Sequence, residues 1–367
     1  MASKIIITNE TVLKRKYTDD GWQVIMAYVD MMIGTDQTSR GIASYVIAVD
    51  NPAQMKSFGA SAVTDPSSQK QNKQAVDKVC RKMKPDHVLF LGGPDIIPFQ
   101  DLEDPCGGAE KIPSDLPYAC ENGYSTSVKN FLVPVRQVSR LPDDCNSIVD
   151  IRNFMNTILN ANRQKTRSIE EYHSVFAVAA ENLKTGKEDS IKKMFGEETQ
   201  ILTCPPETGS WKKDLYFRMF HYFLLYGKEG SAKWFEDMEC KNSVYESFGN
   251  KINVSQGNLA FSMVSYGAQL NTGDIPLAIT YMAKGSCGFL GVTSEIQDMS
   301  MRNSPGDRLV EGFIQSVKKG NCMDQAFLEA RQQLLSQSVS QKEMATLAQW
   351  VLYADGCIIP MKAKERK

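Results

Sequence analysis

The 367-residue sequence has no CxxC pair and only three histidines, His87, His173 and His221, which lie far apart along the chain. Its nine cysteines, at 80, 106, 120, 145, 204, 240, 287, 322 and 357, are scattered. That spacing argues against a structural zinc site or a compact His-rich metal site. Reduced thiols buried as small apolar groups in a cytoplasmic protein are expected instead. The chain also has almost no net charge, with 42 Lys and Arg against 43 Asp and Glu for a balance of -1. No global field therefore draws it towards nucleic acid or an anionic membrane. No window approaches the roughly 18 consecutive apolar residues of a membrane span. The opening MASKIIITNE enters a strand at once, without the charged, apolar and small-residue order of a signal peptide. The one basic run, KAKERK at 362–367, reads as a solvated tail. A Gly-rich phosphate loop, a Ser-His-Asp order, low-complexity segments and solenoid repeats are all missing, so no cofactor is expected.

What is present is a globular α/β pattern. With 42% hydrophobic residues the chain can build a large core, and its length suits two domains or one double-lobed unit. KIIIT at 4–8, SYVIAVD at 44–50 and DHVLFLGG at 86–93 are Ile- and Val-rich runs separated by polar helical stretches such as 67–84. That alternation predicts a parallel sheet. From about 104 to 145 the chain turns irregular around Pro105, Pro113, Pro117, Pro134 and Pro142, and DCNSIVDIRNFMNTILNANRQ then reads as a long helix ending near 164. The expected division is an N-terminal α/β lobe at 1–165 and a second at 166–367. The second repeats the logic with strands HSVFAVAAE, ETQILTC, HYFLLYG, LAFSMVSYG and CGFLGVTSE. Helices are expected at 187–196, KDLYFRMF, IPLAITYMAKG, GDRLVEGFIQSVKKG and CMDQAFLEARQQLL.

In open parallel sheets functional groups gather at the carboxyl ends of strands. Two strand ends stand out: FLLYG, presenting Tyr226 and Gly227, and MVSYGA, presenting Ser265, Tyr266 and Gly267. The 38 residues between Tyr226 and Ser265 leave room for one crossover helix, so the two strands should be neighbours with these residues facing across a groove. His221, five residues before Tyr226, falls about 16 Å from that strand end, out of reach of Ser265. Cys287 opens the next strand and belongs at the opposite edge. Asp95 and Asp115 either line the groove or serve as turn and cap residues. Trp234 either walls the groove or joins the core.

A strand end bearing a His before Gly, beside one bearing a Cys in a small-residue turn, is the dyad layout of the caspase-like (clan CD) cysteine peptidases, and this chain resembles their gingipain-type, peptidase C25-like branch. The resemblance runs through IIITN, DHVLFLGGPDIIP, SDLPY, VSRLP (where the family usually has Gly in place of Ser139), HYFLLYGKEGSAKWF, SYGAQL, CGFLGVTSE, GDRLVEGF, AFLEAR and ATLAQWVLYADG, in order along nearly the whole chain. It implies a caspase-like C-terminal lobe. It also puts the general base at Tyr226, the nucleophile at Ser265 and oxyanion-binding backbone at Gly227 and around Ser265, while position along the chain makes Trp234, Tyr266 and Asp115 the candidate groove residues.

Both chemical positions are changed. A phenol with an ordinary pKa of about 10 is a poor base at neutral pH, and a hydroxyl without a base is a weak nucleophile. Three readings follow: a pseudoprotease that binds another protein or peptide, such as an active relative, a substrate-like segment or an assembly it regulates; a natural cysteine endopeptidase whose Cys has been replaced by Ser265; or a small-ligand-binding α/β module. Replacement of a Cys by Ser265 leaves Tyr226 unaccounted for, and the first reading is preferred.

Overall fold

Runs of Ile, Val, Leu and Phe that can bury both faces become the strands of one large sheet. The computed structural model describes residues 2–145, 150–206, 211–244, 252, 254–297, 299–336 and 339–363; the tail beyond 363 and the expected helical start at 146–149 lie outside these. In chain order the strands are β1 (Ala2–Thr8), β2 (Ile42–Ala48), β3 (His87–Leu91), β4 (Gln100–Glu103), β5 (Lys111–Ser114), β6 (Gln137–Leu141), β7 (Val175–Ala180), β8 (Ile201–Cys204), β9 (Phe220–Leu224), β10 (Tyr226–Gly227), β11 (Trp234–Phe235), β12 (Leu259–Ser262), β13 (Gly288–Val292) and β14 (Trp350–Ala354). Ten of them form a single mostly parallel sheet in the order β2-β1-β3-β6-β14-β13-β12-β9-β7-β8, while β4–β5 and β10–β11 are separate antiparallel pairs.

The α/β architecture expected from the alternation is present, and two features join its halves. The last strand, β14, is inserted in the middle, antiparallel to β13 and touching β6 through the Tyr353–Arg140 pair. The other is β6 itself, which lies in the Pro-rich stretch read as irregular. Its sequence, QVSRL, looks polar, yet Ser139 and Arg140 are buried. The Arg140 guanidinium donates to Asp115 through Nε (3.1 Å) and Nη2 (2.6 Å), and through Nη1 to the carbonyls of Gly92 and Ile97. A buried arginine with its donors satisfied serves here as a core residue.

Alternation along β9 shows the layering. Phe220 and Tyr222 meet Phe195 of the helix Glu181–Phe195, whereas His221 and Phe223 meet Tyr281 of the helix Leu277–Lys284 on the other face. Local signals set helix starts: Ser304 and Asp307 form a capping box with Pro305 in the first turn of Pro305–Lys318, and Ser340 with Glu343 repeats it for Gln341–Gln349. KDLYFRMF gives only a 3-10 turn, Lys213–Phe217. The helix after β7 begins at Glu181, six residues earlier than expected, immediately at the strand end.

At the amino edge of the sheet, the buried Lys4 ammonium lies 2.6 Å from Asp36 and 3.0 Å from Asp355, and Arg40 bridges the same two carboxylates at 2.8 and 3.0 Å. Burial alone would push Lys4 down and Asp355 up. For Lys4 the carboxylate charges outweigh burial and raise its pKa; for Asp355 the Lys4 and Arg40 charges outweigh burial and lower it. A lowered carboxylate contributes stability above its ordinary value and loses it as pH falls through the folded value. A raised ammonium contributes below its ordinary value and loses it as pH climbs through the folded one. The network is therefore intact from about pH 4 to about pH 10. Asp355→Asn, which leaves the buried Lys4 and Arg40 to share the single carboxylate of Asp36, is expected to cost about 3–5 kcal/mol in urea unfolding at pH 7. The deficit relative to the parent should shrink as the pH drops towards about 3; a pH-independent difference would show that the ion pairs are not its source.

Candidate functional site

The carboxyl ends of β9 and β12 are adjacent, with Leu259 paired to Phe220 and Ser262 to Phe223. Neither strand runs as far as its sequence suggests. β9 stops at Leu224, and Tyr226–Gly227 forms the short β10, paired with Trp234–Phe235. β12 stops at Ser262, and Ser265 sits in the turn that follows. In that turn the Gly267 N–H donates to the Val264 carbonyl at 2.9 Å, the Tyr266 N–H to Ser294 at 3.1 Å and the Ala268 N–H to Val292 at 2.8 Å, so the elbow is pinned to β13 and the segment after it. Tyr266 holds a φ of 59°, in the left-handed region that a side chain of its size rarely adopts. A strained residue immediately after Ser265 is the backbone device that turns this side chain out of the sheet.

The two loops touch. A β-carbon on Gly227 would stand 1.8 Å from the Ser265 carbonyl oxygen, and one on Gly267 would stand 2.3 Å from Ser262 Oγ. Glycine at 227 allows the two loops to approach backbone to backbone, and glycine at 267 clears the Ser262 hydroxyl within its own loop. Gly230 N–H donates to Gln269 Oε1 at 2.7 Å, a further tie between the loops. Above them opens a cleft of about 760 Å³ lined by Tyr226, Gly227, Ser265 and Tyr266, with Asn182, Glu110, residues 295–297, Met299 and Ser300 around them. Tyr226 and Ser265 thus come together across a groove. Two other expected groove residues do not: Asp115 is buried in its ion pair with Arg140, and Trp234 is 2% exposed, packed on Phe223 at 5.1 Å.

The chemistry on offer is limited. Ser265 Oγ accepts the Ile296 N–H at 3.0 Å and has only Met299 Sδ, 3.8 Å away, as a further partner. Burial raises the Tyr226 phenol above its ordinary value, with the Asp237 charge adding to it and an Asn182 hydrogen bond opposing it. Burial and the Glu110 carboxylate, 2.6 Å from the hydroxyl, raise Tyr266 as well. Both phenols stay protonated at neutral pH. Among the described residues lining the cleft there is no imidazole, and the one thiol, Cys240, is raised by burial and by Asp237, opposite to what a nucleophile requires. His221 is fully buried on β9 with Nδ1 2.7 Å from Tyr281 Oη, and burial lowers its pKa to about 3. Cys287 lies at the far edge, beside Met323. Both match their expected placement.

Sequence reasoning missed Glu110, Asn182, Glu295 and the Met238–Cys240 segment, all of which line the cleft. Glu110 arrives on the β4–β5 hairpin from the first half of the chain, held by the Tyr266 hydroxyl and by the Gln297–Asp104 bond. No local motif announces such a long-range contact.

Superposition places 98% of this chain on 78% of gingipain R, an Arg-specific cysteine proteinase (RGPB), with a TM-score of 0.63 at 12% identity. A second solved protease covers 99% of the chain with 79% of its own, with a TM-score of 0.62 at 12% identity. The fold is that of the gingipain-type cysteine proteinases. No known family profile matches the sequence, and no curated protein does. At this identity the likeness to gingipain R resides in the backbone, including the mostly parallel sheet and its helices.

Close approach of the two loops makes Gly227 the most sensitive position in the gingipain-type cleft. Gly227→Ala must displace the Ser265 carbonyl and is expected to cost about 2–3 kcal/mol in denaturant unfolding. A variant as stable as the parent would mean that the loops are free to part.

Proposed function

We propose that this chain is a gingipain-type scaffold without peptidase activity, acting by binding another protein or peptide in the cleft between Tyr226 and Ser265. The observation that carries this reading is the composition of the cleft. A serine and a phenol stand where the resemblance puts nucleophile and base, and the described lining residues supply no imidazole to replace them. The Ser265 hydroxyl accepts the Ile296 N–H, and both tyrosines hold their protons, so neither phenol is suited to take a proton from it. The shape supports binding: loops locked by glycine contacts, and an open floor reached from solvent.

Charge indicates the kind of segment. Glu110, Glu229, Glu239 and Glu295 line the cleft against one ammonium, Lys228. A basic peptide segment is the complementary partner, and its capture should weaken as salt screens the exposed carboxylates. The nine cysteines form no disulfide, in keeping with the cytoplasmic setting proposed for the chain. The alternative, a peptidase disarmed by replacement of its Cys at Ser265, leaves Tyr226 without a role.

The purified chain is expected to leave a broad peptide library uncut and to resist labelling by an acyloxymethyl ketone. Turnover that vanishes in Ser265→Ala would overturn the non-catalytic reading. The double variant Tyr226→His with Ser265→Cys restores a thiol and an imidazole to the same two loops and is expected to gain at least weak probe labelling. If it folds and stays silent, the two positions do not form a dyad and the assignment of Tyr226 and Ser265 fails.

A further inference from the structure

The cysteine, histidine and carboxylate that the cleft lacks as a set come together at the opposite edge of the sheet. His87 opens β3, while Cys322 caps and Asp324 begins the helix Met323–Leu334. His87 Nδ1 lies 2.9 Å from Asp324 Oδ2 across 237 residues of sequence, and Cys322 Sγ lies 3.3 Å from Asp324 Oδ1. One ligand atom from each of the three residues falls within 4.8 Å of the others. His87 and Cys322 line a cavity of about 1100 Å³, and Asp324 sits fully buried beneath it.

The connectivity decides between two uses of such residues. In a nucleophilic triad the imidazole stands between thiol and carboxylate, so that it can take the thiol proton. Here the carboxylate is the hub, accepting from the thiol on one oxygen and facing the imidazole with the other. A carboxylate hub flanked by imidazole and thiol is the donor set of a chelate, three protein ligands of mixed N, O and S type whose ligand atoms lie within 4.8 Å of one another. Two other acidic clusters with a cysteine are already filled by side-chain cations: Asp36, Asp355 and Cys357 hold Lys4 and Arg40, and Asp95, Asp143 and Cys145 hold Lys16. Among the described residues the ion-pair partner of Asp324 is His87 alone.

We propose that His87, Cys322 and Asp324 form a binding site for a divalent transition-metal ion, Zn2+ in the first instance, with its fourth position open to the cavity. Binding exchanges the Cys322 thiol proton, and any proton on the ligating nitrogen of His87, for the metal, and those protons pass to solvent. The ion joins the start of β3 to the helix packed beside β14, two segments from opposite halves of the chain.

The test uses the full chain, stripped with a chelator and titrated with Zn2+ and Co2+. One ion per chain is expected, with Co2+ giving a thiolate-to-metal charge-transfer band and the visible bands of a four-coordinate ion. Cys322→Ser should abolish the charge-transfer band and weaken Zn2+ by at least about tenfold, and His87→Gln should weaken Zn2+ similarly while keeping the band. Cys145→Ser and Cys357→Ser should change neither. Zn2+ should also raise the melting temperature of the unmodified chain, because only the folded state brings the three ligands together. If a variant does not fold, X-ray absorption of the zinc-loaded parent decides, with one sulfur scatterer and the rest nitrogen or oxygen expected. A lack of saturable binding, a band that survives Cys322→Ser, or a shell without sulfur would overturn the site.

Discussion

The buried Lys4 ammonium, held between Asp36 and Asp355, joins the first strand of the chain to the residue following its last. Two charges taken out of water are costly unless each finds partners, and here two cations meet two carboxylates with Arg40 closing the square. The consequence is topological. β14 can occupy the centre of a ten-stranded sheet only if something fixes where it ends, and Asp355 fixes it against β1. Beside that anchor β14 pairs antiparallel with β13, and the pairings of β13 with β12 and of β12 with β9 set the level at which β9 and β12 present their carboxyl ends.

Backbone geometry at those ends is fixed by close contacts and by hydrogen bonds from outside the elbow. A left-handed Tyr266 costs of order 1 kcal/mol or more, and the elbow bears it because Ser294 and Val292 hold its amides from outside. The carbonyl of Ser265 against Gly227 leaves room for no side chain. Such a cleft is rigid before any ligand arrives, which is the condition for binding an extended segment without a large ordering cost.

Much of this was legible in the sequence because the signals are local. Short Ile- and Val-rich runs gave the parallel strands, and the turn at Ser265 with the glycine after Tyr226 located the cleft. The parts that escaped are those where tertiary contacts overrule local pattern. β6 hid behind Arg140, whose charge reads as surface until Asp115 and two carbonyls are seen to satisfy it. Asp115 was expected in the groove for its position after a strand-like segment, yet it is the partner that makes that buried arginine tolerable. Trp234 likewise follows the loop that forms the cleft but turns into the core, because the β10–β11 pairing fixes its side chain against Phe223. Glu110 enters the cleft from a hairpin more than a hundred residues away from Tyr266, a contact no periodicity encodes.

The same limit applies to the histidines. Read along the chain, His87 stands alone, its nearest histidine being His173, and the spacing argues against a structural zinc site or a compact His-rich site. Folding places the start of β3 beside the helix that packs on β14, so that His87 meets Asp324 and Cys322 because the last strand is inserted centrally. The Lys4 network and the His87 cluster therefore depend on one event, the docking of the chain's end between its two halves. An ion at His87 would strengthen the same junction that Asp355 secures, on the edge opposite the cleft. This separates what holds the scaffold together from the cleft at the carboxyl ends of its strands.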